Sequence, residues 1–188
     1  MDSIDREVLE HARDWFAEGR HVWLITVVET WGSAPRPVGA LLALRDDGLV
    51  VGSVSGGCVE DDLIERVRTG ERVGKPSMIL YGVDKEEAAR FGLPCGGTLR
   101  LLQEPLVDAG WIDEVLERTA RHELVARTLD LHTGAAKLEA AQLGEAFSFD
   151  GDTARAVFGP RYRMLMIGAG QLSRVLAEMA KALDFQVF

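Results

Sequence analysis

The sequence predicts an α/β protein. A mixed-sheet N-terminal domain covers residues 1–150, a linker covers 151–163, and residues 164–188 begin a second, incomplete domain. Three observations carry this reading. Segments with helical apolar spacing alternate with β-branched apolar runs. Several of those runs face each other across short polar turns of hairpin type. The last stretch reads as strand, glycine-rich turn, helix and the first residues of another strand.

Taken in order, Ser3 caps a helix over 3–18 whose inward face is Ile4, Val8, Ala12, Trp15 and Phe16, and Gly19 is its left-handed stop. "HVWLITVVET" (21–30) is too apolar to alternate and reads as a buried strand. "WGSAPRPVG" cannot continue it, because Pro35 and Pro37 fix the backbone and lack N–H donors. "GALLALRDDGLVVGSV" is a hairpin turning at Asp46, Asp47 and Gly48. A helix over 58–69 buries Val59, Leu63, Ile64 and Val67 and ends at Gly70.

"PSMILYGV" and "GTLRLLQEPL" are two further strands, with a helical turn at "KEEAAR" between them. A helix over 108–122 points Trp111, Ile112, Val115 and Leu116 inward. "ELVARTLDLHTGAAKLE" is a solvated hairpin with His132, Thr133 and Gly134 at its turn. "FDGDTARAVFGPRYR" loses its period and collects Gly, Pro and charge, as a linker does. Beyond it, Leu172, Val175, Leu176, Met179, Ala180 and Leu183 form a clean helical stripe.

The bulk properties exclude some classes. The net charge is -9 with no block of like charge, which disfavours nucleic acid. No stretch approaches the ~18–20 consecutive apolar residues of a membrane helix. The acidic start "MDSIDREVLE" lacks the apolar run of a secretory leader, and two cysteines without C-x-x-C spacing fit a reducing, cytoplasmic setting. His11, His21, His122 and His132 show no metal-ligand spacing and read as surface or cap residues. The runs "VEDDLIER" and "DKEEAAR" read as solvated helix faces.

"MLMIGAGQLS" places Gly168, Gly170 and Gln171 at a strand-to-helix turn, the context of a Rossmann-like dinucleotide site. Gly168 allows the tight turn and Gly170 lets a pyrophosphate approach the helix start. Ser173 stands where a third glycine is usual, and an acid able to hold a ribose would fall past Phe188. The competing reading is a tight turn alone. A single βα unit cannot cover its own apolar faces, so a longer parent protein is expected.

Both cysteines abut glycine pairs: Cys58 follows Gly56 and Gly57, and Cys95 precedes Gly96 and Gly97. Such glycines permit close approach of a ligand to the main chain. A helix N-terminus beside Cys58 favours thiolate, whereas Glu60, Asp61 and Asp62 oppose it. The alternative for both is a small buried hydrophobe. Arg36, clamped between prolines, suits a phosphate or carboxylate, and Gly32 with Ser33 could form an anion nest; a plain proline-rich turn is the other reading.

In order, "TVVETWGSAPRPVGALLAL", "GSVSGGCVEDDLI", "GLPCGGTLRLLQEPL" and "MLMIGAGQLSRVLAEMA" resemble the XdhC/CoxI family of accessory factors for xanthine dehydrogenase, CO dehydrogenase and related molybdenum hydroxylases. The resemblance implies a cofactor-binding chaperone rather than a turnover enzyme. It would bind molybdenum cofactor (molybdopterin), protect it while a cysteine desulfurase supplies the terminal sulfur, and hand it to the apo molybdenum hydroxylase. It implies an N-terminal α/β domain followed by a Rossmann-like one. Cofactor-binding residues would be Gly32, Ser33, Arg36, Gly56, Gly57, Cys58, Cys95, Gly96 and Gly97, with Cys58 and Cys95 facing the metal. A homodimer is the expected assembly. "GAGQLS" departs from the family's Gly-Ala-Gly-His-x-Gly form. The rival function is an NAD(P)-linked oxidoreductase using the C-terminal unit; a third is a structural adaptor holding no cofactor.

Overall fold

The computed structural model describes residues 3–31, 36–82, 98–160, 162–183 and 185–188. The turn expected at "KEEAAR" lies outside them. The chain builds α1 (Ser3–Ala17), β1 (Val22–Trp31), the hairpin β2 (Leu41–Arg45) and β3 (Val50–Gly52), and α2 (Cys58–Arg68). Then come β4 (Ser77–Tyr81), β5 (Thr98–Pro105), α3 (Gly110–Ala120), β6 (Val125–Asp130) and β7 (Ala136–Ala140). The chain closes with β8 (Ser148–Phe149), β9 (Thr153–Phe158), β10 (Tyr162–Met164), α4 (Gln171–Ala182) and β11 (Phe185–Val187).

Five strands form one sheet in the order β3-β2-β1-β5-β4, and four form a second, β7-β6-β9-β8. Every described pairing in these two sheets is antiparallel. The expected mixed sheet is therefore corrected: among the described residues parallel pairing occurs only between β10 and β11, which α4 connects. A helix also joins β3 to β4, but these lie at opposite edges of their sheet and do not pair, whereas β10 and β11 lie side by side.

The alternate faces of β1 divide the core. Trp23, Ile25 and Val27 join Leu42, Leu44, Tyr81, Leu99 and Leu101 beneath Val59, Leu63 and Val67 of α2. Val22 and Leu24 face the other way, onto Val8, Leu9, Ala12 and Trp15 of α1 and Ile112, Val115 and Leu116 of α3. The predicted stripes of α1, α2 and α3 thus face the core, with Phe16, Ile64 and Trp111 half-buried and Ile4 exposed. Gly52 fixes the meeting of β3 with α1. Its φ is +90°, and a Cβ there would sit 2.4 Å from the Leu41 carbonyl oxygen and 2.5 Å from Val8 Cγ2.

A bulge interrupts β1. Val27 pairs with Leu101, but the next pair is Glu29 with Arg100, followed by Thr30 with Leu99 and Trp31 with Thr98. One residue is inserted at Val28, so side chains beyond it exchange faces.

Two further expectations change. Residues 151–163, expected as a linker, contain β9, paired along its whole length with β6, and β10. Ala154, Ala156 and Phe158 alternate with Thr153, Arg155 and Val157, and Phe158 is buried between the layers. The flanking Gly151, Gly159 and Pro160 masked that short period. The apolar stripe of α4 is not buried: Leu172 is 80% and Met179 59% exposed, and only Ala180 of that helix is buried.

Candidate functional site

Antiparallel pairing sends several connections out of one end of the five-stranded sheet. Trp31 ends β1 opposite Thr98, which begins β5; Leu99 pairs with Tyr81, which ends β4; Leu42 pairs with Gly52, which ends β3. The hydroxyl of Thr98 donates to the Gly82 carbonyl at 3.3 Å, so the flanks of the 83–97 segment meet at this end. The glycine-rich loop Ser53–Gly57 leaves the sheet here and enters α2.

One carboxylate shapes that loop. Glu60, on the first turn of α2, is 7% exposed. Its Oε1 accepts from Ser53 Oγ (2.7 Å), Val54 N (2.8 Å), Ser55 N (2.9 Å) and Gly56 N (3.1 Å). Its Oε2 accepts from Gly57 N at 2.9 Å and from Ser55 Oγ. Burial by itself would push this carboxyl up; the hydrogen bonds from Ser55, Ser53 and the loop N–H groups outweigh it and hold the group down, at about 2. Glu60 is thus no solvated helix-face residue, as its run of charges suggested. It is a fixed internal anion that turns the loop N–H groups of 54–57 inward.

The backbone agrees. Gly56 has φ +92° and Gly57 φ +153°, both in the region that favours glycine. Both are exposed, and a Cβ built on Gly57 would meet nothing within 4 Å, so the glycine surface is open. Arg36 arrives from the neighbouring turn, half-buried, and its Nε donates to the Ser53 carbonyl at 3.2 Å. Arg36 forms no ion pair among the described residues, and its Nη groups have no described acceptor. Arg36, Ser53, Gly56, Gly57 and Glu60 therefore form one connected unit.

Of the residues expected from sequence, Arg36, Gly56 and Gly57 come together. Cys58 opens α2 immediately after them. Its side chain, with Gly32, Ser33, Cys95, Gly96 and Gly97, lies outside the described residues. Gly168, Gly170 and Gln171 sit apart, exposed at the turn from β10 into α4; Gly168 has φ +118°, and Gly170 caps the helix without a side-chain bond. No cluster of three or more His, Cys, Asp or Glu able to hold a metal occurs among the described residues. Sequence reasoning placed Glu60 in the Gly-Gly-Cys-x-Glu element and at the helix start, but missed its enclosure by the loop and its two serine partners. The signal was present: a glutamate three residues past Gly57 is the acidic half of a capping box.

Lower on α2, Asp62 accepts from Tyr81 Oη and Arg66 Nε, both at 2.8 Å, tying that helix to the end of β4. Burial raises the Tyr81 phenol above its ordinary range, with the Asp62 carboxylate adding to it, so it stays a neutral donor.

The chain is similar to several known proteins. Residues 15–82 match the model of the XdhC and CoxI family. Over 182 residues the chain is 29% identical to the molybdenum cofactor insertion chaperone PaoD of Escherichia coli (strain K12), a match covering 96% of this chain and 56% of that protein. Over 74 residues it is 34% identical to a Bacillus subtilis (strain 168) protein named as a probable xanthine dehydrogenase component, covering 39% of this chain and 22% of the relative. A crystal structure named as a xanthine dehydrogenase from Bacillus halodurans superimposes with a TM-score of 0.67 at 21% identity, over 100% of this chain and 61% of that one. That likeness concerns the fold alone. The chain spans little more than half the length of PaoD and less of the second relative. Residues 15–82 thus carry the match to the XdhC and CoxI family, and the chain as a whole is similar to these relatives.

Proposed function

We propose that this chain forms the cofactor-holding part of a molybdenum cofactor insertion chaperone, acting in the cytoplasm. The observation that carries the reading is the open glycine surface at Gly56 and Gly57, held rigid by Glu60 and flanked by Arg36. The similarity to PaoD over nearly the whole chain supports it.

The donor set fits the group in part. A flat pterin can lie against exposed glycine backbone, where no side chain intervenes. Its phosphate needs a cation, because Glu60 already occupies the loop N–H groups; Arg36 supplies one. Cys58 and Cys95 are proposed to face the metal, since soft thiolates suit molybdenum and its sulfur. When bound, the cofactor contributes the molybdenum centre that a hydroxylase later uses. The work of this chain is to orient the pterin, neutralise the phosphate and shield the group until transfer. A cysteine desulfurase that supplies sulfur and an apo molybdenum hydroxylase that receives the cofactor are the proposed partners.

The test is retention. Full-length protein purified from cells making the cofactor is expected to carry pterin, read as fluorescence after oxidation, and molybdenum, read by elemental analysis. Cys58→Ala, Cys95→Ala and Arg36→Gln are each expected to lower both. Unchanged retention in the two cysteine variants removes the thiols from the site; no pterin in the parent protein removes the reading.

The parallel pair β10 and β11 across α4, with its glycine turn, favours a second reading, an NAD(P)-linked oxidoreductase. Saturable binding of NADH or NADPH to the full-length protein, abolished by Gly170→Val, would support it.

A further inference from the structure

We propose that Trp31 is the stacking surface for the flat ring of the bound pterin, a proposal that rests on the cofactor reading above. Trp15 and Trp23 are buried and Trp111 is half-buried, but Trp31 is 51% exposed, at the sheet end that carries the glycine loop. A large aromatic left in water at such a place is costly unless something covers it.

The bulge at Val28 aims it. If the pairing ran on without the bulge, Trp31 would share the face of Val27, beneath α2. With it, Trp31 pairs with Thr98 on the opposite face, beside Arg100 and Leu80. Bulges next to functional sites commonly re-aim a side chain in this way.

Trp31, Leu80, Thr98 and Arg100 together line a shallow open shelf, with Leu80 46% exposed. The shelf is braced from the side. Arg100 Nη1 donates to Glu29 Oε2 at 2.9 Å, and the guanidinium lies 5.6 Å from the Phe149 ring centre. Glu29 reaches that pair because the same bulge turns it over. An open apolar floor edged by a guanidinium held in place by Glu29 suits a planar ring with a polar rim. Trp31 is five residues from Arg36, at most ~18 Å of extended chain. One ligand could therefore lie across the sheet end, with its ring on Trp31 and its phosphate at Arg36.

The probes are 6-hydroxymethylpterin and its diphosphate, added to the full-length protein and followed by tryptophan quenching and equilibrium dialysis. Both are expected to bind, with Trp31→Ala weakening each roughly tenfold, the scale of stacking one base on an aromatic side chain. Trp31→Phe should restore most of the affinity, Trp111→Phe should not change it, and Arg36→Gln should weaken the diphosphate alone. Wild-type binding with unaltered affinity in Trp31→Ala overturns the shelf and leaves the cofactor reading standing. Absence of binding by either pterin to the wild type overturns both.

Discussion

Replacing Glu60 by glutamine removes one charge and almost no volume. The carboxylate takes six hydrogen bonds from Ser53, Val54, Ser55, Gly56 and Gly57. An amide oxygen could keep the four donors now on Oε1. The amide nitrogen would then face the Gly57 N–H, donor against donor. Loss of the charge-assisted bonds and one stranded N–H give a destabilisation of about 3 kcal/mol near neutral pH. The pH dependence gives an independent figure. The folded carboxyl sits at about 2 against an ordinary 4.5. A depressed carboxyl stabilises the fold above its unfolded value and loses that contribution as pH falls through the folded value. The loss should thus run from about pH 4.5 down to about 2, and amounts to on the order of 3 kcal/mol. Urea unfolding of wild type and Glu60→Gln at a series of pH values reads both quantities. The expected result is a gap near 3 kcal/mol at pH 7 that narrows below pH 4.5. Coincident curves at pH 7, or a gap that stays constant down to pH 2, would refute the argument.

Other perturbations probe separate parts of the structure. Gly52→Ala should cost at least ~2 kcal/mol, since φ is positive and the new Cβ meets the Leu41 carbonyl; thermal unfolding reports it. Glu104 and Arg127 form a two-point pair, 2.8 and 3.0 Å, with the guanidinium 4.0 Å from the Trp111 ring centre and side chains only 8% and 12% exposed. Glu104→Gln should cost about 3 kcal/mol by urea unfolding, and replacing both partners by methionine much less. The bare stripe on α4 predicts concentration-dependent self-association of the 188-residue chain in sedimentation velocity. Leu172→Lys with Leu176→Lys should suppress it without lowering the melting temperature.

Local chemistry was legible. Asp46, Asp47 and Gly48 marked the first hairpin turn, and Val59, Leu63 and Val67 marked the buried side of α2, because turn residues and helical period act over a few positions. What failed was what depends on partners distant in sequence. β9 was read as linker because a six-residue strand between glycines carries little period until β6 pairs with it. The bulge at Val28 has no glycine or proline to announce it; the register of β5 reveals it. Period identified the apolar side of α4 but not whether anything covers it. Glu60 was hidden for a different reason: a count of charges cannot distinguish a solvated carboxylate from one enclosed by six donors. Arg36, Gly56 and Gly57 were legible as a group because proline and glycine spacing records backbone demands directly.

The neighbouring strands β1 and β5 have consequences for how this scaffold can change. After Trp31 the polypeptide adds β2, β3 and β4 to the sheet, leaves it once more past Gly82, and returns at Thr98 beside Trp31. The 83–97 stretch is an excursion whose two feet, Gly82 and Thr98, are already tied together. Lengthening such an excursion costs little, about 0.6 kcal/mol for each doubling of its span. Descendants of this architecture could rebuild the tips of that excursion, and so retune what they grasp, while the platform underneath stays the same.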